Sequence, residues 1–344
     1  MTSGWVPSWK PPSPKGRGST SVLRLPRLRY LRPSSPREAA QLAAEHGARA
    51  MLVAGGTDLI PNLKRRQFDP EVLVQVPSLP GIRRDDGHFV LGATVTLAEA
   101  SADQRLRAAL PGFAEAAGLV SSPPLRNAGT VGGNLCVDTR CNYYNQTFEW
   151  RKAIGFCLKK DGDICLVAPG SSRCWAVSSS DTAPMAMALG ATVELTGIEG
   201  SRTIPVAALY QDDGIEYLAK QPHEVLTAIH LPAVEGVRTA YVKLRRRGSI
   251  DFPIAGAAVA LKLDGDLVVS CRVALSAVAS HPLEAPAAGD FLAGKRLDPE
   301  TVVAAADLAA KPARPLDNTD LTHFWRKRMV RVVVERALLA AAAR

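Results

Sequence analysis

Apolar and polar positions alternate in short runs along most of this chain, and the runs divide it into strands and helices of modest length. Leu25–Leu31 reads as a strand. Ser35–His46 reads as a helix, with Pro36 just inside its start and Gly47 just past its end. Ala50–Val53 and Val72–Val76 are short apolar strands. A polar turn at Asp85-Asp86-Gly87 then precedes a further strand, Phe89–Gly92. Thr96–Asp103 opens a helix that extends through Leu110. This strand–helix–strand start predicts a small α/β subdomain.

Between about 137 and 178 neither a period of 2 nor one of 3.6 is visible, so no regular element is expected there. A stretch this long without periodicity in a compact domain usually serves function. The pattern resumes at Ser179: Asp181 is expected to cap a helix over Thr182–Leu189, which Gly190 ends. Strands follow at Thr192–Thr196 and Val225–Leu231, closing a first domain over 23–232. The remainder, 233–344, contains Thr239–Arg246 and two alternating runs, Ala255–Leu263 and Leu267–Ala277. Asp264-Gly265-Asp266 joins those two as a hairpin. Helices are expected at Pro299–Ala310 and Thr322–Ala343.

Composition adds limits. The 344 residues suffice for two domains, and 47% hydrophobic with 22% charged residues is ordinary for a soluble globular chain. No apolar run approaches the roughly 18 to 20 residues of a membrane span, and a cytoplasmic protein is expected. The net charge of +9 suggests nucleic acid until it is located. Residues 1–50 hold nine Lys and Arg against two Glu, which leaves only +2 for the rest of the chain. A basic leader on a near-neutral body is a poor case for nucleic-acid binding. The leader, 1–22, is rich in Pro, Ser, Lys and Arg and is expected to be disordered; it has no apolar core of a secretory signal.

Two glycine turns carry the first candidate chemistry. Val53-Ala54-Gly55-Gly56-Thr57-Asp58-Leu59 places two glycines directly after a strand, and Thr130-Val131-Gly132-Gly133-Asn134 repeats the composition. Bare backbone N–H groups approach a phosphate closely, and a hydroxyl adds a donor. Either turn alone is no more than a tight turn, but a pair in one α/β domain suits a pyrophosphate held from both sides. Neither has the G-x-G-x-x-G spacing of a Rossmann unit, which points to another dinucleotide fold. The six histidines are scattered, and no triad or carboxylate pair is evident, so no catalytic residue is expected in this chain.

Five of six cysteines lie between 136 and 174. Cys141, Cys157, Cys165 and Cys174 stand at intervals of 16, 8 and 9 positions. Soft thiolates suit iron, and four complete a cubane. Zinc on four thiolates remains open, although its usual close C-x2–4-C pair is absent unless Cys136 joins Cys141. Cys136 and Cys271 read as small buried core residues.

The two turns resemble the FAD pyrophosphate loops in the medium, flavin-binding subunits of the xanthine oxidase (molybdenum hydroxylase) family, which includes carbon monoxide dehydrogenase and xanthine dehydrogenase. The resemblance continues through Ser180-Asp181-Thr182-Ala183-Pro184, Glu224-Val225-Leu226, Leu231-Pro232 and Tyr241-Val242-Lys243, and covers the chain from Leu25 onward. It implies an α+β fold. A PCMH-type FAD-binding domain of two α/β subdomains would be followed by a C-terminal domain with an antiparallel three-stranded sheet and helices, similar to the CO dehydrogenase flavoprotein C-terminal domain. It also implies that 53–59 and 130–134 hold the FAD phosphates and ribityl chain. Asp181 would lie near the ribityl or dimethylbenzene region, Leu226 against the isoalloxazine, and Lys243 near its polar edge.

The cysteine segment resembles an insert in the beta subunits of 4-hydroxybenzoyl-CoA reductases, on Arg140–Gln146, Trp150-Arg151, Cys157–Gly162, Cys165 and Ser172-Arg173-Cys174. That likeness implies a 4Fe–4S cluster on Cys141, Cys157, Cys165 and Cys174. The expected partners are a molybdenum large subunit, a 2Fe–2S small subunit and a ferredoxin-like donor. The implied reaction is the reductive removal of a phenolic hydroxyl on another subunit. Oxidation of a purine, aldehyde or N-heterocycle by a related complex, and a non-catalytic iron–sulfur module, are the competing expectations.

Overall fold

A computed structural model of the chain describes residues 23–344; the leader expectation, 1–22, lies outside the described residues. Three sheets organise the fold, in the α+β class expected. The first is parallel and three-stranded, in the order Arg29–Leu31, Val72–Gln75, Ala50–Val53. Helix Pro36–His46 covers it, burying Ala39, Ala40 and Ala43 against Val72 and Val74. Its start is fixed by Ser35, whose side chain accepts from the Glu38 N–H.

The second sheet is antiparallel and five-stranded, in the order Ile82–Asp85, His88–Gly92, Val225–Pro232, Thr192–Thr196, Ser201–Pro205. The strand expected at 89–92 therefore belongs here and not with the first unit, because its buried Phe89 and Leu91 pair with Leu231 and Ile229. Thr182–Leu189 packs beneath this sheet with every residue buried, and Gly190 ends it at φ +72°. An all-apolar helix of this kind is stable only inside a core.

The third sheet runs Leu283–Glu284, Leu267–Ser276, Ala255–Asp264, Val237–Leu244. Three long strands match the three-stranded expectation, and a two-residue edge strand makes a fourth. Helices Pro299–Ala310 and His323–Ala342 cover one face through Val302, Ala306, Val330, Val334 and Leu338.

Two further expectations are corrected. The single helix over 96–110 is two, Leu97–Ala102 and Gln104–Ala109. Asp103 leaves the helical region at ψ 117° and turns its carboxylate onto the N–H groups of Arg105 and Leu106. The segment 137–178 does contain a helix, Phe148–Ala153, whose one buried residue is Arg151.

Candidate functional site

The first glycine turn meets the residues that lead into the second. A Cβ on Gly55 would lie 1.9 Å from the Ala128 carbonyl oxygen, and one on Gly129 would lie 3.3 Å from Thr57 Oγ1. Only glycine permits that approach, and Gly56 adds a left-handed φ of +68°. The turns differ in what they offer. The N–H groups of Gly55, Gly56, Thr57 and Asp58 have no hydrogen-bond partner among the described residues. They stand before the short helix Leu59–Lys64 as open donors. In the second turn the Val131 N–H bonds Val95 O, Gly132 bonds Ala93 O, Asn134 bonds Thr130 O, and Gly133 bonds Thr130 Oγ1. Its residues form a helical turn, Val131–Leu135, capped by Thr130. The first turn therefore keeps its backbone donors free, whereas those of the second are bonded within the protein.

Asn134 turns inward. Its Oδ1 accepts from Ser180 Oγ at 2.9 Å, Thr182 N at 3.1 Å and Thr182 Oγ1 at 2.7 Å. Because a backbone N–H can only donate, the oxygen must face Thr182, and the Nδ2 donors are left uncommitted among the described residues. Here the structure corrects the expectation for Asp181. It occupies the N-cap position of Thr182–Leu189 but makes no side-chain cap bond. Asn134 and Ser180 satisfy the first N–H groups instead.

The Asp181 carboxylate is committed elsewhere, to Lys243 Nζ and Tyr241 Oη, each at 2.8 Å. Lys243 also donates to Leu119 O at 3.0 Å, and both charged side chains are at most 2% exposed. Lys243 is accordingly not a solvated strand residue. Burial pushes the Asp181 carboxyl up, and Lys243 opposes the rise. Leu226 is buried in strand Val225–Pro232 opposite Leu195, within the core of the second sheet. Asp58 binds Arg140 and, at 3.2 Å, Asn62 Nδ2. Arg140 is buried, which brings its guanidinium down to about 10, and it stacks on Phe252 with 4.5 Å to the ring centroid.

All four cysteines of the insert line one cavity, together with Tyr143, Tyr144, Leu158 and Lys159. None is more than 7% exposed and none is in a disulfide. Burial pushes the Cys141 thiol up to about 11 and the Cys174 thiol up to about 12. Such thiols become thiolates only beside strong positive charge, as on a metal. Among the described residues no group of three or more His, Cys, Asp or Glu side chains is disposed to hold a metal ion.

The insert is fastened on several sides. Gln67 Nε2 donates to Tyr144 O at 2.6 Å, and Arg151 Nη2 donates to the carbonyls of Arg65 and Arg66 at 3.0 and 2.9 Å. From the C-terminal half, Asn318 accepts from Asn142 N at 2.8 Å and donates to Trp175 O at 2.6 Å. A Cβ on Gly214 would lie 2.7 Å from the Cys174 sulfur. Cys136 and Cys271 stand outside the cavity.

Sequence reasoning missed Lys159 and Arg140. Lys159 sits in a Lys-Lys-Asp run that reads as solvated, and its place two residues after Cys157 was the available signal. Nothing in the sequence marks Arg140 as the partner of Asp58.

Comparison with known proteins fits this geometry. A family profile described as the FAD binding domain in molybdopterin dehydrogenase matches residues 26–234, and the CO dehydrogenase flavoprotein C-terminal domain matches 239–341. The carbon monoxide dehydrogenase medium chain of Hydrogenophaga pseudoflava is 32% identical over 323 residues, 93% of this chain and 98% of that protein. The aldehyde oxidoreductase FAD-binding subunit PaoB of Escherichia coli is 33% identical over 279 residues, 75% of this chain and 84% of that protein. A crystal structure of the Cu,Mo-CO dehydrogenase in its cyanide-inactivated form aligns with a TM-score of 0.78 at 31% identity. That alignment covers 93% of this chain and 99% of the other. These relatives support the wider family and do not bear out the narrower likeness to 4-hydroxybenzoyl-CoA reductases. Neither the profiles nor the relatives' names speak for an iron–sulfur cluster on this subunit. No helix among the described residues is long and apolar enough to cross a membrane.

Proposed function

Since the chain belongs to the FAD-binding medium subunits of xanthine oxidase-type molybdenum hydroxylases, an oxidoreductase family, we propose that it is the electron-transfer subunit of such a complex. Its partners would be a molybdenum-bearing large subunit and a 2Fe–2S small subunit. The observation that carries the reading is the run of open N–H groups at 55–58, beside Ala128 and Gly129 at the entry to the second glycine turn, where a dinucleotide pyrophosphate would lie. Asn134 Nδ2 supplies a further donor, and the buried Lys243–Asp181 pair would flank the ring system. FAD, when bound, exchanges electrons one or two at a time. In this reading, oxidation of a small substrate such as an aldehyde, purine or N-heterocycle would occur on the large subunit, and this chain would pass on the electrons.

What supports a 4Fe–4S cluster as an additional relay is that the four thiols are buried and line one cavity. The same cage favours a second reading, reductive dehydroxylation of 4-hydroxybenzoyl-CoA fed by a ferredoxin-like donor in the cytoplasm. Both readings are tested on the anaerobically purified complex. It should contain FAD and, on this subunit, about four irons with matching labile sulfide. A flavin-free product would sink the subunit assignment, and zinc in the cage would sink the cluster. Oxidation of aldehydes or heterocycles with an artificial acceptor, set against reduction of 4-hydroxybenzoyl-CoA with a low-potential dye, separates the two reactions.

A further inference from the structure

Lys159 has no role in the site as so far derived, yet it is the cation built into the cysteine cage. Its Nζ donates to Asp138 Oδ1 at 2.6 Å, Thr139 Oγ1 at 2.5 Å and Gly214 O at 2.6 Å. The rings of Tyr144 and Tyr217 lie beneath it, 4.7 and 5.5 Å from ammonium to centroid. The side chain is 6% exposed. An ammonium drawn this far from water is retained where its charge is balanced and its protons are all placed. Here three acceptors take the three protons.

The acceptors are the segments that carry or touch the thiols. Asp138 and Thr139 lie between the second glycine turn and Cys141, and Gly214 abuts the Cys174 sulfur. Lys159 itself follows Cys157 by two residues. Lys159 lines the cavity and Asp138 does not, so the lysine is the member of the pair that borders the sulfurs.

We propose that Lys159 is a positioning residue that sets the reduction potential of the cage, its fixed charge favouring the reduced cluster and Asp138 opposing it. The inference rests on the reading that the four thiolates hold an iron–sulfur cluster. When such a cluster is reduced, one electron enters, no bond is made or broken, and the net charge falls by one. A nearby buried cation stabilises that extra negative charge, and its effect is large where the medium screens little.

The experiment is a dithionite titration of the anaerobically purified complex, following the EPR signal of this subunit's reduced cluster, with the FAD absorbance as an internal reference. Lys159→Met should shift the cluster's midpoint potential to more negative values, and Lys159→Arg should restore it toward the parent. Asp138→Asn, which unbalances the ammonium, should shift it to more positive values. Loosening of the insert would move the Met and Asn variants in the same direction, so shifts of the same sign, or no shift, overturn the inference while leaving the cluster in place. Should Lys159→Met fail to assemble, the Asp138→Asn shift decides alone: positive supports the inference, and zero or negative overturns it. A parent complex with no cluster signal and no iron on this subunit overturns the cluster reading and this inference together.

Discussion

Gly55→Ala is the sharpest probe of the flavin site, because it adds one methyl group at the contact between the two turns. The new carbon would lie 1.9 Å from the Ala128 carbonyl oxygen, against an ordinary contact of 3.4–4 Å. The turns would have to part by about 1.5 Å, and overpacking of this kind costs about 1–3 kcal/mol. Gly55 does not have a positive φ, so backbone strain adds nothing and the effect is steric. If the open N–H groups at 55–58 grip the pyrophosphate, most of that energy is lost from flavin binding, a fall of roughly 10- to 100-fold in affinity. Gly133→Ala is the control. That position is exposed, its N–H is already bonded to Thr130, and a Cβ there meets only the Thr130 hydroxyl at 2.9 Å. It should weaken binding less than about fivefold, the scale of a disturbed helix cap. The assay is the ratio of flavin to protein absorbance after purification, followed by equilibrium titration of the apoprotein with FAD. Parent-like retention in Gly55→Ala, or an equal loss in Gly133→Ala, would refute the division of labour between the turns.

Other outcomes follow from the same geometry. Lys243→Met should cost about 3–5 kcal/mol near neutral pH, as an unpaired buried Asp181 carboxylate remains. With the ammonium gone, burial raises that carboxyl against only the weaker pull of the Tyr241 hydroxyl and Arg245. The folded state then binds the proton more tightly than the unfolded one, so the deficit is full above the folded pKa and shrinks as pH falls toward the ordinary carboxylate range. Thermal melts of variant and parent at several pH values check this, and a pH-independent gap would contradict it. Asn134→Leu removes the acceptor of three donors, one of them a backbone N–H, and should destabilise by about 2 kcal/mol in urea unfolding. Cys157→Ser and Gly214→Ala should each abolish the subunit's cluster EPR signal while FAD stays bound; an unchanged signal in Cys157→Ser would remove that residue from the ligand set.

The elements legible in the sequence were those with buried apolar runs and clear end signals. Pro36–His46, Thr182–Leu189 and Pro299–Ala310 show their ends through Pro36, Gly190 and Pro299 as well as through their apolar faces. Strands Ile82–Asp85 and Ser201–Pro205 were not legible, because both are sheet edges with almost no buried residue to set an alternation. Phe148–Ala153 was hidden for a related reason: what it buries is Arg151, a charge whose carbonyl acceptors on Arg65 and Arg66 lie 86 and 85 positions away. At the site, the glycines announced a close approach, but nothing local showed which amides would stay free. That depends on Ala93 and Val95, contributed from beyond the second turn. Asp181 misled because an acidic residue before a helix ordinarily caps it, and here tertiary partners outbid the local N–H groups.

Asn318 joins what the chain order keeps apart. Its backbone oxygen and side-chain amide secure both ends of the cysteine insert, and its Oδ1 accepts from the buried Arg326 of the last helix at 3.0 Å. If the cage holds a cluster, the free energy of filling it would be shared with the C-terminal half by mass action. Calorimetry of loaded and stripped protein would then show the melting of the C-terminal half moving too, so that loss of iron at one end would be felt as fragility at the other.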